Sequence, residues 1–79
     1  MGYDHYAAAR AIADRLSVEG HSEWADKLKK VMADGATGTE IFMGLRFHLQ
    51  LLKGSGVPMS VGTRWHVDYL LKELDSALN

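Results

Sequence analysis

The segment from Thr37 to Lys53 carries more apolar residues than one face of a helix can hold, and this excess constrains the rest of the fold. At about 100° per residue, Ile41, Phe42, Leu45, Leu49 and Leu52 fall on one broad face, the pattern of an amphipathic helix docked on a core. Met43, Phe47 and Leu51 recur at i, i+4 and i+8 on a second stripe, nearly opposite Phe42 and Leu49. Only Arg46, Gln50 and the edge formed by Gly44 and His48 interrupt the hydrophobicity. A helix apolar on most sides is normally buried. In a chain of 79 residues little protein is available to cover it. The second stripe is therefore expected either to pack within the molecule, with this helix at its centre, or to meet a partner.

The start of that helix is well marked. Thr37-Gly38-Thr39-Glu40 fits a capping box, in which the Thr37 hydroxyl takes the Glu40 amide and the Glu40 carboxylate reaches back to the Thr37 amide. Ala36 and Ile41 stand at the staple positions. Gly35-Ala36-Thr37-Gly38 also has the look of a phosphate cradle, but it lacks the lysine and spacing of a P-loop, no strand precedes it, and Glu40 places negative charge where a phosphate would sit.

Glycines divide the remainder into three further helical segments, giving helices over about 3–18, 22–34, 38–53 and 59–78. The first is rich in alanine, carries Ala8 or Ala9, Ile12 and Leu16 at helical spacing, and stops at Gly20. Ser22 is the expected N-cap of the second, which places Trp24, Leu28, Val31 and Met32 on one side and Glu23, Asp26, Lys27 and Lys30 on the other, and ends at Gly35. Gly54-Ser55-Gly56-Val57-Pro58 is the most flexible connection, and either Pro58 or Ser60 opens the fourth helix.

That last helix repeats the anomaly of the third. Val67, Leu70, Leu71, Leu74 and Leu78 make its core face, while Val61, Trp65 and Tyr69 gather on the far side. Aromatic residues spaced one turn apart suit the energetic centre of an interface. They equally suit an aromatic cluster with Tyr3 and Tyr6 across the end of the bundle. Short connections favour consecutive helices packing as neighbours. The expected fold is all-α, a small four-helix bundle or orthogonal helical array, forming one domain over residues 1–79.

Composition excludes several function classes. Nine basic and ten acidic residues are spread along the chain for a net charge of −1, which leaves no electrostatic footprint for nucleic acid. The local cluster Lys27, Lys29 and Lys30 is accounted for by the helix dipole and a solvated face. Without cysteine there is neither a disulfide framework nor a thiolate metal site. No signal peptide or membrane span is apparent, and Tyr6 stands where a myristoylation signal at Met1-Gly2 needs Ser or Thr, so a cytoplasmic location is expected.

Chemistry-bearing patterns are equally sparse. His5, His21, His48 and His66 never form an i, i+4 pair, and no H-E-x-x-H pattern exists, so neither a metal nor a cofactor is expected. His48, at the edge of the third helix's core face, reads as a partly buried, hydrogen-bonded histidine, and His66 between Arg64 and Asp68 as a solvated one. No Ser/His/Asp arrangement is recognisable, and Asp4, Asp14, Glu73 and Asp75 sit in ordinary helix contexts, so no catalytic residue is assigned and enzyme activity is not expected.

The second and third helices also have the outline of a helix-turn-helix. A recognition helix should offer a polar, basic face, whereas this one would present Met43, Phe47 and Leu51 with only Arg46 and Gln50 suited to base edges. Nucleic-acid binding is therefore the alternative. The leading expectation is a small helical protein–protein interaction module, self-associating as a homodimer and acting as an adaptor, inhibitor or regulator. Its partner-binding residues would be Met43, Phe47 and Leu51, or Val61, Trp65 and Tyr69, or both sets.

Overall fold

The computed structural model describes residues 2–79; the acylation signal sought at Met1 lies partly outside them. The fold is all-α, with α1 at His5–Val18, α2 at Ser22–Asp34, α3 at Gly38–Gly54 and α4 at Val61–Leu78. Substantial contacts run around a ring: α1 lies against α2 and α4, and α3 lies against the same two helices. The expectation that α3 would be central is thereby corrected. It takes one place in the ring, because four helices of comparable length can share a core without any of them being enclosed.

That core is contiguous. Ala9, Ile12, Ala13 and Leu16 of α1 meet Ala25 and Leu28 of α2, Leu45, Leu49 and Leu52 of α3, and Val67, Leu70 and Leu74 of α4. Each buried leucine stabilises the fold by roughly 1.5–3 kcal/mol relative to an exposed one, so the seven in this cluster are its main support. Ile41, Phe42 and Leu71, expected on the core faces, are half-buried and pack against the edge of the cluster. Ala13, Ala25 and Thr63 are fully buried although the periodicity did not single them out. Small residues at these places let helix backbones approach closely. Gly44 does the same for α2 and α3, since a methyl group on it would lie 2.8 Å from Cγ1 of Val31.

The helix ends follow local chemistry, with three corrections. Asp4 caps α1 by accepting from the Ala7 amide at 3.0 Å. Its C-terminus closes through Gly20 at φ +88°, where the His21 amide returns to the Leu16 carbonyl and the Gly20 amide to that of Ser17. Ser22 is the first residue of α2 and not its cap; His21 precedes the helix, with no side-chain capping bond. In the capping box of α3, the Glu40 amide donates to Thr37 Oγ1 at 3.1 Å as expected, but the Glu40 carboxylate accepts from the Thr37 hydroxyl and does not reach the Thr37 amide. Ala36 is exposed, and Ile41 packs over Gly35, where its side chain occupies the space a Cβ would need.

The N-terminus of α4 is tied to the α1–α2 turn. Ser60 is the cap and accepts from the Thr63 amide. The Glu19 carboxylate accepts from the Ser60 amide at 3.0 Å, from the Ser60 hydroxyl at 2.9 Å and from the hydroxyl of the buried Thr63. These bonds, first that from Thr63 and then those from Ser60, hold the Glu19 carboxyl below its ordinary pKa, with the nearby His21 adding to the effect. His21 Nε2 also donates to the Pro58 carbonyl at 2.6 Å. The connection from Gly54 to Pro58, read as the most flexible, is thus anchored at its far end.

Candidate interaction surfaces

The six residues expected to bind a partner all lie at the surface. Met43, Phe47 and Leu51 point outward from α3, and Val61, Trp65 and Tyr69 from α4, with Phe47 57% and Trp65 59% exposed. The twelve-residue core closes without any of them. Scattered apolar residues are common on protein surfaces, but here they recur one turn apart along two helices and so form stripes.

The two stripes form separate surfaces. On α3, Gly44 against Val31 turns the stripe toward α2. On α4, a methyl group at Gly62 would lie 3.1 Å from Nη1 of Arg15, Tyr69 meets Tyr3, and His5 Nε2 donates to the Glu73 carbonyl at 3.4 Å, so that stripe turns toward α1. Between them, the α3–α4 seam is charged. Arg46 pairs with Asp75 at 3.3 Å and Lys53 with Asp68 at 2.6 Å, beside an open groove lined by Gln50, Leu71 and Lys72. Exposed pairs of this kind contribute about 0–1 kcal/mol each and act mainly to keep the seam polar.

The α4 surface is built from stacked rings. Trp65 and Tyr69 stack at 5.2 Å with an interplanar angle of 15°, and Tyr3 meets Tyr69 edge-on at 5.4 Å. The aromatic cluster with the N-terminal segment is therefore present for Tyr3, whereas Tyr6 packs on Phe42 at 5.6 Å and does not join it. His5 links the two groups through Tyr3 and Phe42. Burial, followed by the charge of Glu73 and the neighbouring Tyr69, pushes the Tyr3 phenol up and keeps it un-ionised. Val61, at the start of this stripe, stands 88% exposed.

The α3 surface borders a groove against α2. Lys27, Lys30, Val31, Asp34 and His48 line a mostly apolar cleft of about 330 Å³. His48 is half-buried, as expected, but its Nδ1 is buried without a hydrogen-bond partner among the described residues, so the hydrogen-bonded reading is corrected. Burial, and then the positive charge of Lys27, hold this imidazole below its ordinary pKa. It is neutral near pH 7. His66 is half-buried rather than solvated, with its ring edge-on to Trp65 at 5.1 Å.

Among the described residues, no group of three or more His, Asp or Glu side chains gathers as a metal ion requires, and none of the helices is long and apolar enough to cross a membrane. Exposure of the outer stripes could not have been settled from periodicity, which shows two apolar faces and not which of them the other helices reach. Searches against protein-family models, curated proteins and solved structures find no match for this chain.

Proposed function

We propose that this chain is a small helical protein–protein interaction module with two apolar faces, of which the α4 face joins it to a second copy. The observation that carries this reading is the exposure of Met43, Phe47, Leu51, Val61, Trp65 and Tyr69 outside a core that is complete without them. Self-association is assigned to α4 because Trp65 is already stacked on Tyr69 and Tyr3 packs edge-on against it, so little side-chain freedom is lost when they are covered. Rigid aromatic groups are also the residues that dominate interface energetics. Such a module suits an adaptor, inhibitor or regulator. The helix-turn-helix alternative has less support, because the outward residues of α3 are Met43, Phe47 and Leu51 where a DNA-reading helix needs polar side chains.

Light scattering over a concentration series tests the assignment. The wild type is expected at twice the chain mass, and Trp65→Asp at the single-chain mass with helicity intact, since a charge on an exposed site leaves the core untouched. A wild type that stays monomeric at all concentrations, or a Trp65→Asp variant that remains dimeric, overturns it.

A further inference from the structure

The α3 face differs from the α4 face in having a mostly apolar groove beside it, with lysines on the groove's rim. Met43, Phe47 and Leu51 form an exposed ridge that winds gently along α3, and the Phe47 ring meets that of His48 at 5.3 Å, which joins the ridge to the α2–α3 cleft. The cleft floor is apolar, supplied by Val31 and the hydrocarbon stems of Lys27 and Lys30. At its rim, Lys27 has no carboxylate partner among the described residues, and its ammonium sits 4.7 Å from the centroid of the Trp24 ring. Lys30 pairs with Asp34 at 3.2 Å, but both groups are highly exposed, so that pair contributes little and exchanges readily. An apolar ridge of i, i+4, i+8 side chains flanked by a groove is a surface that can receive an amphipathic helix. The cationic rim selects the charge of that helix.

We infer that the α2–α3 face binds an amphipathic helix of another protein whose apolar stripe packs on Phe47 and Leu51 and whose flanking acidic residues meet Lys27 and Lys30. This rests on the reading of the outer stripes as interaction surfaces, but it concerns the face that the homodimer leaves open. A second copy is a poorer occupant, because a two-fold contact centred on Phe47 would bring the cationic rims of both copies toward one another. An anionic lipid surface is also a poorer occupant, because the cationic rim amounts to Lys27 and an Asp34-paired Lys30, too little charge to hold a bilayer, whereas a helix laid along the ridge can seat its carboxylates at those two lysines alone.

The test uses a synthetic amphipathic helix of about five turns, with leucines along one face and glutamates beside them, and the same peptide with lysine for every glutamate. Anisotropy titrations should show the glutamate peptide binding at least about tenfold more tightly than the lysine peptide, with the gap narrowing at high salt. Phe47→Ser, and independently Met43→Ser should Phe47→Ser fail to fold, should weaken both peptides. Lys27→Glu should remove or reverse the charge preference, and Trp65→Asp should change neither affinity. The His48 ring signals should move on binding, with its titration displaced to higher pH by the incoming carboxylates.

Equal affinity for the two peptides, no binding of either, or indifference to Phe47→Ser overturns the inference. So does loss of the dimer in Phe47→Ser, which would place a second copy on this face, or Phe47-dependent binding of phosphatidylserine vesicles in place of the glutamate peptide. The dimer and the peptide site are read by different variants. Failure of the α4 assignment, seen with Trp65→Asp, is therefore distinguishable from failure of the α3 assignment.

Discussion

The two faces of α3 have similar apolar content and opposite fates. Leu45, Leu49 and Leu52 are buried, whereas Met43, Phe47 and Leu51, interleaved with them in the same seventeen-residue helix, stand outside. The inner face has leucines of one shape meeting α2 and α4. The outer face has a methionine, a phenylalanine and a leucine of different shapes and reach. The comparison teaches that hydrophobicity alone does not bury a residue: a neighbouring helix has to be there to cover it, and four helices arranged in a ring each keep an outer face.

Substitutions on the two faces should separate them sharply. Leu49→Ala removes a fully buried side chain where three other helices meet the cluster, so a loss of about 2–5 kcal/mol is expected in urea unfolding. A loss below about 1 kcal/mol would mean that the core is less tightly packed than its burial indicates.

Acidification acts on the periphery and should have a smaller effect. The Glu19 carboxyl, held below its ordinary value of 4.5 by Thr63 and Ser60, binds protons more weakly in the fold than in the unfolded chain. Its contribution is therefore fully present above about pH 4.5 and is lost as the pH falls through the folded value. In Glu19→Gln this part of the acid sensitivity of the melting temperature should vanish, and the wild-type and variant curves should converge at low pH. Parallel curves would show that the carboxylate does not tie α4 to the α1–α2 turn. His48 acts in the same direction at higher pH, because a histidine held below its ordinary 6.5 costs stability as the pH drops below that value.

The smallest effect on stability is expected at Phe47. Phe47→Ser should shift unfolding by no more than about 0.5 kcal/mol, since its ring is mostly exposed. A loss comparable to that of Leu49→Ala would erase the distinction between the two faces and place Phe47 in the core.

Much of the local structure is legible in the residues themselves. The turn at Gly20, the cap at Thr37 and the positions of all four helices follow from spacing and capping chemistry that act over a few residues, whereas the choice between Pro58 and Ser60 at the start of α4 stayed open until the structure placed Ser60 at the cap. The misreadings have a common physical source. Ser22 lost the capping place to His21, whose position is set by the closure at Gly20 and by its bond to Pro58, thirty-seven residues away. Tyr6 turned to Phe42 rather than to Trp65 and Tyr69, and Ile41 packed on Gly35 rather than on Ala36. Glu19 gave no sign that it would serve the start of α4, since nothing in its own neighbourhood marks a contact made across forty-one residues.

The sequence by itself determined four helices, their approximate ends, and the presence of two apolar stripes on α3 and α4, because helical periodicity and capping depend on neighbours within about one turn. Only the tertiary structure decided which stripe on each helix is covered. That choice depends on where the other helices lie: Gly44 draws α3 toward Val31, Tyr3 folds onto Tyr69, and the Arg46–Asp75 and Lys53–Asp68 pairs keep the seam between the two exposed faces polar.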